Sequence, residues 1–179
     1  MKNYLNDYKN YDLWILLSRT YTSIAELREA ECMQFGISRH QVYILLIIVA
    51  LGDNVTPTEI SRFTYRKKNS VSEILNRMTK NGLVKKTRDP DNKSRVIVSL
   101  TEKGRRVHEK SRPRESIGRV MSVLSDEEQQ QLQSYLEKLL ENAKTELSFD
   151  REKLVLPSKL ALKASQSRKK SAKYPPQIA

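Results

Sequence analysis

Cysteine is nearly absent from this chain. The single copy, Cys32, excludes an internal disulfide, and with only two histidines there is little from which to build a metal cluster. Glycine is scarce as well, at five residues. None falls in a phosphate-cradling loop or a nucleophile elbow, so the chain offers little to build catalysis from and reads as a non-enzyme that needs no cofactor. No run of 18 apolar residues exists, so no membrane partner is expected. The densest apolar stretch, Val42 to Leu51, suits a helix buried on most sides. The N-terminal MKNYLNDYKNYD lacks the apolar region of a signal peptide. With the lone cysteine, this favours a cytoplasmic protein.

What is abundant is positive charge, and it is unevenly placed. The 179 residues carry a formal net charge of +12. Residues 62–119 hold 18 basic and 6 acidic groups, whereas residues 1–61 and 120–150 are both net acidic. Residues 151–179 add 8 basic and 1 acidic group. Cations gathered in one central block and a tail, between acidic flanks, point to a local patch for a polyanion rather than a uniformly basic surface.

Helix starts are marked by three capping-box patterns, SRHQ (Ser38 to Gln41), TPTE (Thr56 to Glu59) and SDEE (Ser125 to Glu128). In each, a hydroxyl at the cap serves one backbone N–H and a Glu or Gln three residues on serves another. His40 reads as part of the first cap. Six helices are expected: about Tyr8 to Cys32, Ser38 to before Gly52, a short one after Thr56, one ended by Asn81–Gly82, one after Thr101, and Asp126 to about Leu147. Pro113 should split the fifth near Ser111. Between the fourth and fifth, LVKKTRD and RVIVSLT flank the turn-forming DPDNKS, which predicts a two-stranded ribbon. The fold class is therefore mainly α with a small two-stranded β wing. From Phe149 on, periodicity is poor, and SQSRKKSAKYPPQIA reads as a disordered tail.

The fourth helix carries the argument for function. In RKKNSVSEILNRM, Val71, Ile74, Leu75 and Met78 form one apolar stripe at helical spacing. Three cations, Arg66, Lys67 and Lys68, crowd its start, where the helix dipole disfavours them. An anion shared between the cations and the helix N-terminus would resolve this, the plain alternative being a solvated basic turn. Asn69, Glu73, Asn76 and Lys80 lie opposite the stripe, flanked by Ser72 and Arg77. Asn69 suits adenine and Glu73 suits the cytosine amino group. Glu73 is equally well placed to pair with Arg77 at i+4.

A short helix, a tight turn, an amphipathic helix and a basic hairpin make a winged helix-turn-helix. The stretch TEISRFTYRKKNSVSEILNRMTKNGLVKKTRDPDNKSRVIVSLTEKG, Thr58 to Gly104, resembles MarR-family transcriptional regulators. Its SRFTYRKKNSVSEILNRM portion is similar to a branch found beside reductive-dehalogenase genes. The resemblance implies a homodimer on a palindromic double-stranded operator, most often a repressor released by a small aromatic or anionic effector or by cysteine oxidation. It also implies a layout: an N-terminal dimerisation helix over 1–35, the winged domain over 36–101, dimerisation helices over 102–148, and a basic tail over 149–179. Expected DNA contacts are Arg66, Lys67, Lys68, Asn69, Ser70, Ser72, Glu73, Asn76, Arg77, Lys93, Ser94 and Arg95.

The chain departs from the family pattern in places. Family wings commonly carry Asp-x-Arg, but Asn92 and Ser94 stand at those positions, so Arg95 or Lys93 would have to serve as the minor-groove cation. Tyr65 stands where glycine is frequent, and Arg66 where an apolar residue is. Tyr4, Tyr8, Tyr11, Trp14 and Tyr21 form an aromatic stripe on the first helix, read here as dimer core. Leu132, Tyr135, Leu136, Leu139 and Leu140 supply the matching face of the last helix. The family's ligand cleft lies between the dimer helices and the winged domain, so core and ligand site can coincide. Family oxidation sensors carry their cysteine nearer the start of the first helix, and Glu29 and Glu31 beside Cys32 should not stabilise a thiolate. The competing reading is a winged-helix architectural protein that coats nucleic acid without sequence choice, which the basic tail slightly favours.

Overall fold

The computed structural model describes residues 4–52 and 54–147; the basic tail expected over 149–179 lies outside the described residues. The elements run α1 (Tyr4–Met33), α2 (Arg39–Leu51), α3 (Pro57–Thr64), α4 (Lys68–Lys80), β1 (Val84–Arg88), β2 (Val96–Leu100), α5 (Glu102–Lys110), α6 (Glu115–Met121) and α7 (Asp126–Glu146). Among the described residues two compact units emerge, one from residues 4–39 with 113–138, the other from 40–52 and 54–112 with 139–147.

The second unit holds most of the buried apolar side chains. α2 buries Val42, Ile44, Leu45, Ile47 and Ile48, as its apolar density requires. Thr56 begins α3 in extended backbone: its hydroxyl accepts the Glu59 N–H at 3.2 Å, and the Glu59 carboxylate accepts the Thr56 N–H at 2.7 Å. Pro57 occupies the first turn, where its missing N–H costs nothing. α3 packs on α4, which buries Val71, Ile74, Leu75 and Met78, the whole stripe read from the sequence.

Asn81–Gly82 ends α4 in a Schellman turn. Gly82 has φ +67°, Leu83 N–H reaches the Met78 carbonyl at 2.9 Å, and Gly82 N–H reaches that of Thr79 at 2.9 Å. The chain then forms the wing, with β1 antiparallel to β2, Val84 opposite Leu100 and Arg88 opposite Val96. Val55 pairs with Val98 through two backbone hydrogen bonds, 2.7 and 3.3 Å, adding a short third edge that local patterning does not reveal. Thr101 caps α5, accepting the Gly104 N–H at 3.0 Å and donating to the Gly82 carbonyl at 2.6 Å.

The fifth helical region is split as Pro113 requires: α5 ends at Lys110 and α6 starts at Glu115. In the first unit α6 packs on α1 around Glu31. That carboxylate accepts from Arg28 (2.7 Å), from the Glu115 backbone N–H (2.9 Å) and from the Ser116 hydroxyl. Burial pushes the Glu31 pKa up, but these hydrogen bonds and the Arg28 charge bring it below the ordinary 4.5. α1 begins at Tyr4, four residues before the expected start. No helix among the described residues is long and apolar enough to cross a membrane.

Candidate nucleic-acid interface

α3 and α4 form the helix-turn-helix, and the turn between them is shaped by Tyr65. Its backbone is left-handed, φ 55° and ψ 31°, where glycine is usual. Holding a tyrosine there costs about 1–3 kcal/mol, which the surrounding contacts must offset. They are visible: Tyr65 N–H reaches the Arg62 carbonyl, Arg66 N–H reaches that of Ser61, and the Ser61 hydroxyl donates to the Arg66 carbonyl at 2.6 Å.

The three cations at the helix entrance are not equivalent. Lys67 is the cap residue of α4 and Lys68 its first residue; both are exposed, and no side chain caps the helix. Arg66 turns back onto α2, its Nη2 lying 2.8 Å from His40 Nε2 and 3.1 Å from Nδ1. His40, read from the sequence as part of a cap, therefore also holds this arginine. The N–H groups at the start of α4 have no side-chain cap, and Lys67 and Lys68 beside them are open to an anion.

Along α4, Asn69, Ser72, Glu73, Asn76 and Arg77 are exposed, while Ser70 is half-buried. Glu73 and Arg77 form no ion pair among the described residues, so the i+4 pairing considered from sequence is not made. Asn76 has a partner that sequence reading missed: its Oδ1 accepts from Lys86 Nζ, on β1, at 2.6 Å. Bidentate contact with adenine needs both the oxygen and the amino group of a carboxamide. Lys86 already uses one lone pair of the Asn76 oxygen, so Asn69 is the less encumbered candidate for adenine.

The wing turn is held by its own polar groups. Asn92 Oδ1 accepts from Ser94 N–H at 3.2 Å and from its hydroxyl at 2.6 Å, so the two residues standing at the Asp-x-Arg positions bond to each other. Arg88 Nη1 donates to the Lys93 carbonyl at 2.7 Å. Arg95 lies between Asp89 (3.7 Å) and Glu59 (4.0 Å). Lys93, Ser94 and Arg95 are all exposed. Lys85, Lys86 and Arg88 thus join the cations on this unit; the signal was the run KKTR, read only as a strand.

The side chains expected at a dimer interface are also outward. Tyr8, Tyr11, Trp14 and Tyr21 on α1 are exposed, with Tyr11 and Trp14 ring centroids 5.3 Å apart. On α7, Leu132, Tyr135, Leu136 and Leu139 are exposed and Leu140 is half-buried. Cys32 is fully buried. Burial pushes its thiol above the ordinary 9.0; Glu29 and Glu31 add to this, and Arg28 and Arg39 oppose it. A thiolate is disfavoured there, which argues against redox sensing. No group of three or more His, Cys, Asp or Glu among the described residues is placed to hold a metal ion.

Comparison with known proteins agrees with this architecture. The sequence pattern of the MarR family matches residues 35–93. The uncharacterized HTH-type transcriptional regulator YfiV of Bacillus subtilis (strain 168) is 27% identical over 142 residues, spanning 75% of this chain and 87% of the relative. Among solved structures, the organohalide-sensing RdhR transcriptional regulator bound to 2,4-dichlorophenol superposes with a TM-score of 0.70 at 28% identity, over 74% of this chain and 80% of that one. A MarR mutant from E. coli complexed with operator DNA has a TM-score of 0.68 at 20% identity, over 74% and 96% of the two chains, a likeness of fold.

Proposed function

We propose that the chain is a MarR-family DNA-binding transcriptional regulator, a homodimeric, sequence-specific repressor released from its operator by a small aromatic ligand. One observation carries the specific-binding reading. α4 buries every apolar residue of its stripe and leaves Asn69, Ser72, Glu73, Asn76 and Arg77 outward, between an uncapped basic N-terminus and a basic hairpin. Hydrogen-bonding groups of both polarities on one exposed helix face suit base edges, whereas cations alone would suit phosphates.

Homodimerisation is supported by the apolar side chains that α1 and α7 leave exposed. Trp14 and Tyr135 are each 58% exposed, and several leucines on the same helices are similarly open. Apolar exposure on this scale marks a protein interface. A second copy placed against these helices would present two winged units to the two halves of a palindrome. The proposed regions remain residues 1–35 and 102–148 for dimerisation and 36–101 for DNA.

The ligand class rests on similarity to the organohalide-sensing regulator that binds 2,4-dichlorophenol. A halogenated phenol is the first compound to test. Added to the protein–operator complex, 2,4-dichlorophenol should release the DNA at concentrations that leave the complex of an unrelated repressor intact. Unchanged binding up to the solubility limit would remove halophenols as the effector. The second reading, a winged-helix protein that coats DNA without sequence choice, is favoured by the eight basic residues of 151–179. It predicts equal affinity for operator and random duplex.

A further inference from the structure

The wing's Arg95 is gripped in a way that the helix-turn-helix layout alone does not demand. Its Nη1 lies 3.7 Å from Asp89 Oδ2 and its Nη2 lies 4.0 Å from Glu59 Oε2. Both carboxylates are themselves anchored. Glu59 Oε2 accepts the Thr56 N–H at 2.7 Å and the Thr56 hydroxyl at 2.6 Å, closing the cap of α3. Asp89 has a side chain only 13% exposed; its Oδ1 accepts the Asp91 N–H, and its backbone N–H donates to the Arg95 carbonyl at 2.9 Å. The Val55–Val98 pairing joins the same two segments a second time. The start of α3 and the start of β2 are therefore tied by backbone and by side chain.

Ion pairs this long and this open add little stability. Their consequence is geometric. Arg95 is 47% exposed, so one side of its guanidinium is directed by two fixed carboxylates while the rest stays open. An arginine held this way loses less rotamer freedom when it meets a nucleic-acid acceptor than a free one does. With Asn92 and Ser94 bonded to each other, the wing needs another residue to supply an oriented cation. Resting on the DNA-binding reading above, we infer that Glu59, together with Asp89, is a positioning residue that aims Arg95 at the DNA, so that the capping glutamate of α3 also sets the wing's contact.

The sign of the effect makes the inference testable. Removing a carboxylate near a DNA-binding surface should by itself strengthen binding, because it removes repulsion of phosphates. Positioning predicts the opposite. The experiment is a double-mutant cycle with full-length wild-type protein, Glu59→Gln, Arg95→Ala and the double variant, read by fluorescence anisotropy at moderate salt. Gln keeps the acceptor needed for the capping box, and thermal melts of each variant verify the fold. Glu59→Gln should weaken binding about three- to tenfold in the wild-type background and leave affinity unchanged or slightly tighter once Arg95 is Ala, the coupling expected of groups that act together. Asp89→Asn, which keeps its acceptor for Asp91 N–H, should behave alike and stands in if Glu59→Gln melts early. Unchanged or tighter binding by both carboxylate variants, or equal losses with and without Arg95, would overturn the inference. If wild-type protein prefers no duplex, the operator reading fails alone, and the cycle on random duplex still decides the clamp. A wild type that binds no DNA overturns both.

Discussion

Gly104 shows how a single residue supports the wing. It is not in a left-handed conformation; its value is its missing side chain. A Cβ built there would lie 2.0 Å from the Leu83 carbonyl oxygen, in backbone that also receives the Thr101 N–H and hydroxyl. Gly104→Ala should therefore lower stability by about 3 kcal/mol, the upper end of ordinary overpacking costs, with the wing displaced. A urea midpoint equal to wild type would contradict that close approach. Asn69 and Asn76 separate at the same scale. Asn69→Ala should cost about 1–3 kcal/mol on the operator and little on random duplex, since bidentate base contacts carry discrimination. Equal loss on both duplexes would make Asn69 a backbone contact. Periodicity places both asparagines on one helical face, and only the position of Asn69 near the helix N-terminus sets it apart in the sequence. That Asn76 has an oxygen occupied by Lys86 depends on a strand ten residues away.

At the scale of elements, legibility followed the range of the interaction. The TPTE and SDEE caps are made as read: Ser125 Oγ accepts the Glu128 N–H at 3.3 Å and the Glu128 carboxylate accepts the Ser125 N–H at 2.8 Å. The α4 stripe, its Asn-Gly stop, the hairpin and the break at Pro113 were equally readable, since each is decided within a few residues. The Val55–Val98 edge, the Arg66–His40 contact and the Glu59–Arg95–Asp89 clamp were not. Each joins segments whose own patterns are satisfied without it. The same holds for the link between α1 and α6, where Glu31 meets Ser116 and Glu115.

That link gives a pH prediction. The folded-state pKa of Glu31 lies below the ordinary 4.5, so its ionised form is favoured by folding. The resulting stability is fully present above the unfolded value and is lost as pH falls through the folded one. Urea midpoints should decline on acidification from near pH 4.5 downward, and Glu31→Gln should flatten part of that decline. Parallel acid limbs for the two proteins would show that Glu31 contributes nothing there. Glu59, also lowered below 4.5 against the effect of its burial by hydrogen bonds from Thr56 and by the Arg95 and Arg62 charges, acts in the same direction.

For the whole molecule, the uneven charge and the outward apolar faces have separate roles. The cation-rich block of residues 62–119 covers α4, the wing and α5, whereas the exposed aromatics and leucines belong to α1 and α7. In the proposed function one set would meet a polyanion and the other a second copy of the chain. The central claim joins them: a dimer that reads base sequence. It is tested most directly by fluorescence anisotropy of the purified protein on a duplex spanning the DNA upstream of its own gene, with random duplex as competitor, across a salt series. The account predicts a preference of about a thousandfold or more that survives moderate salt. Equal affinity for both duplexes, lost steeply as salt rises, would contradict it and leave a protein that reads only phosphates.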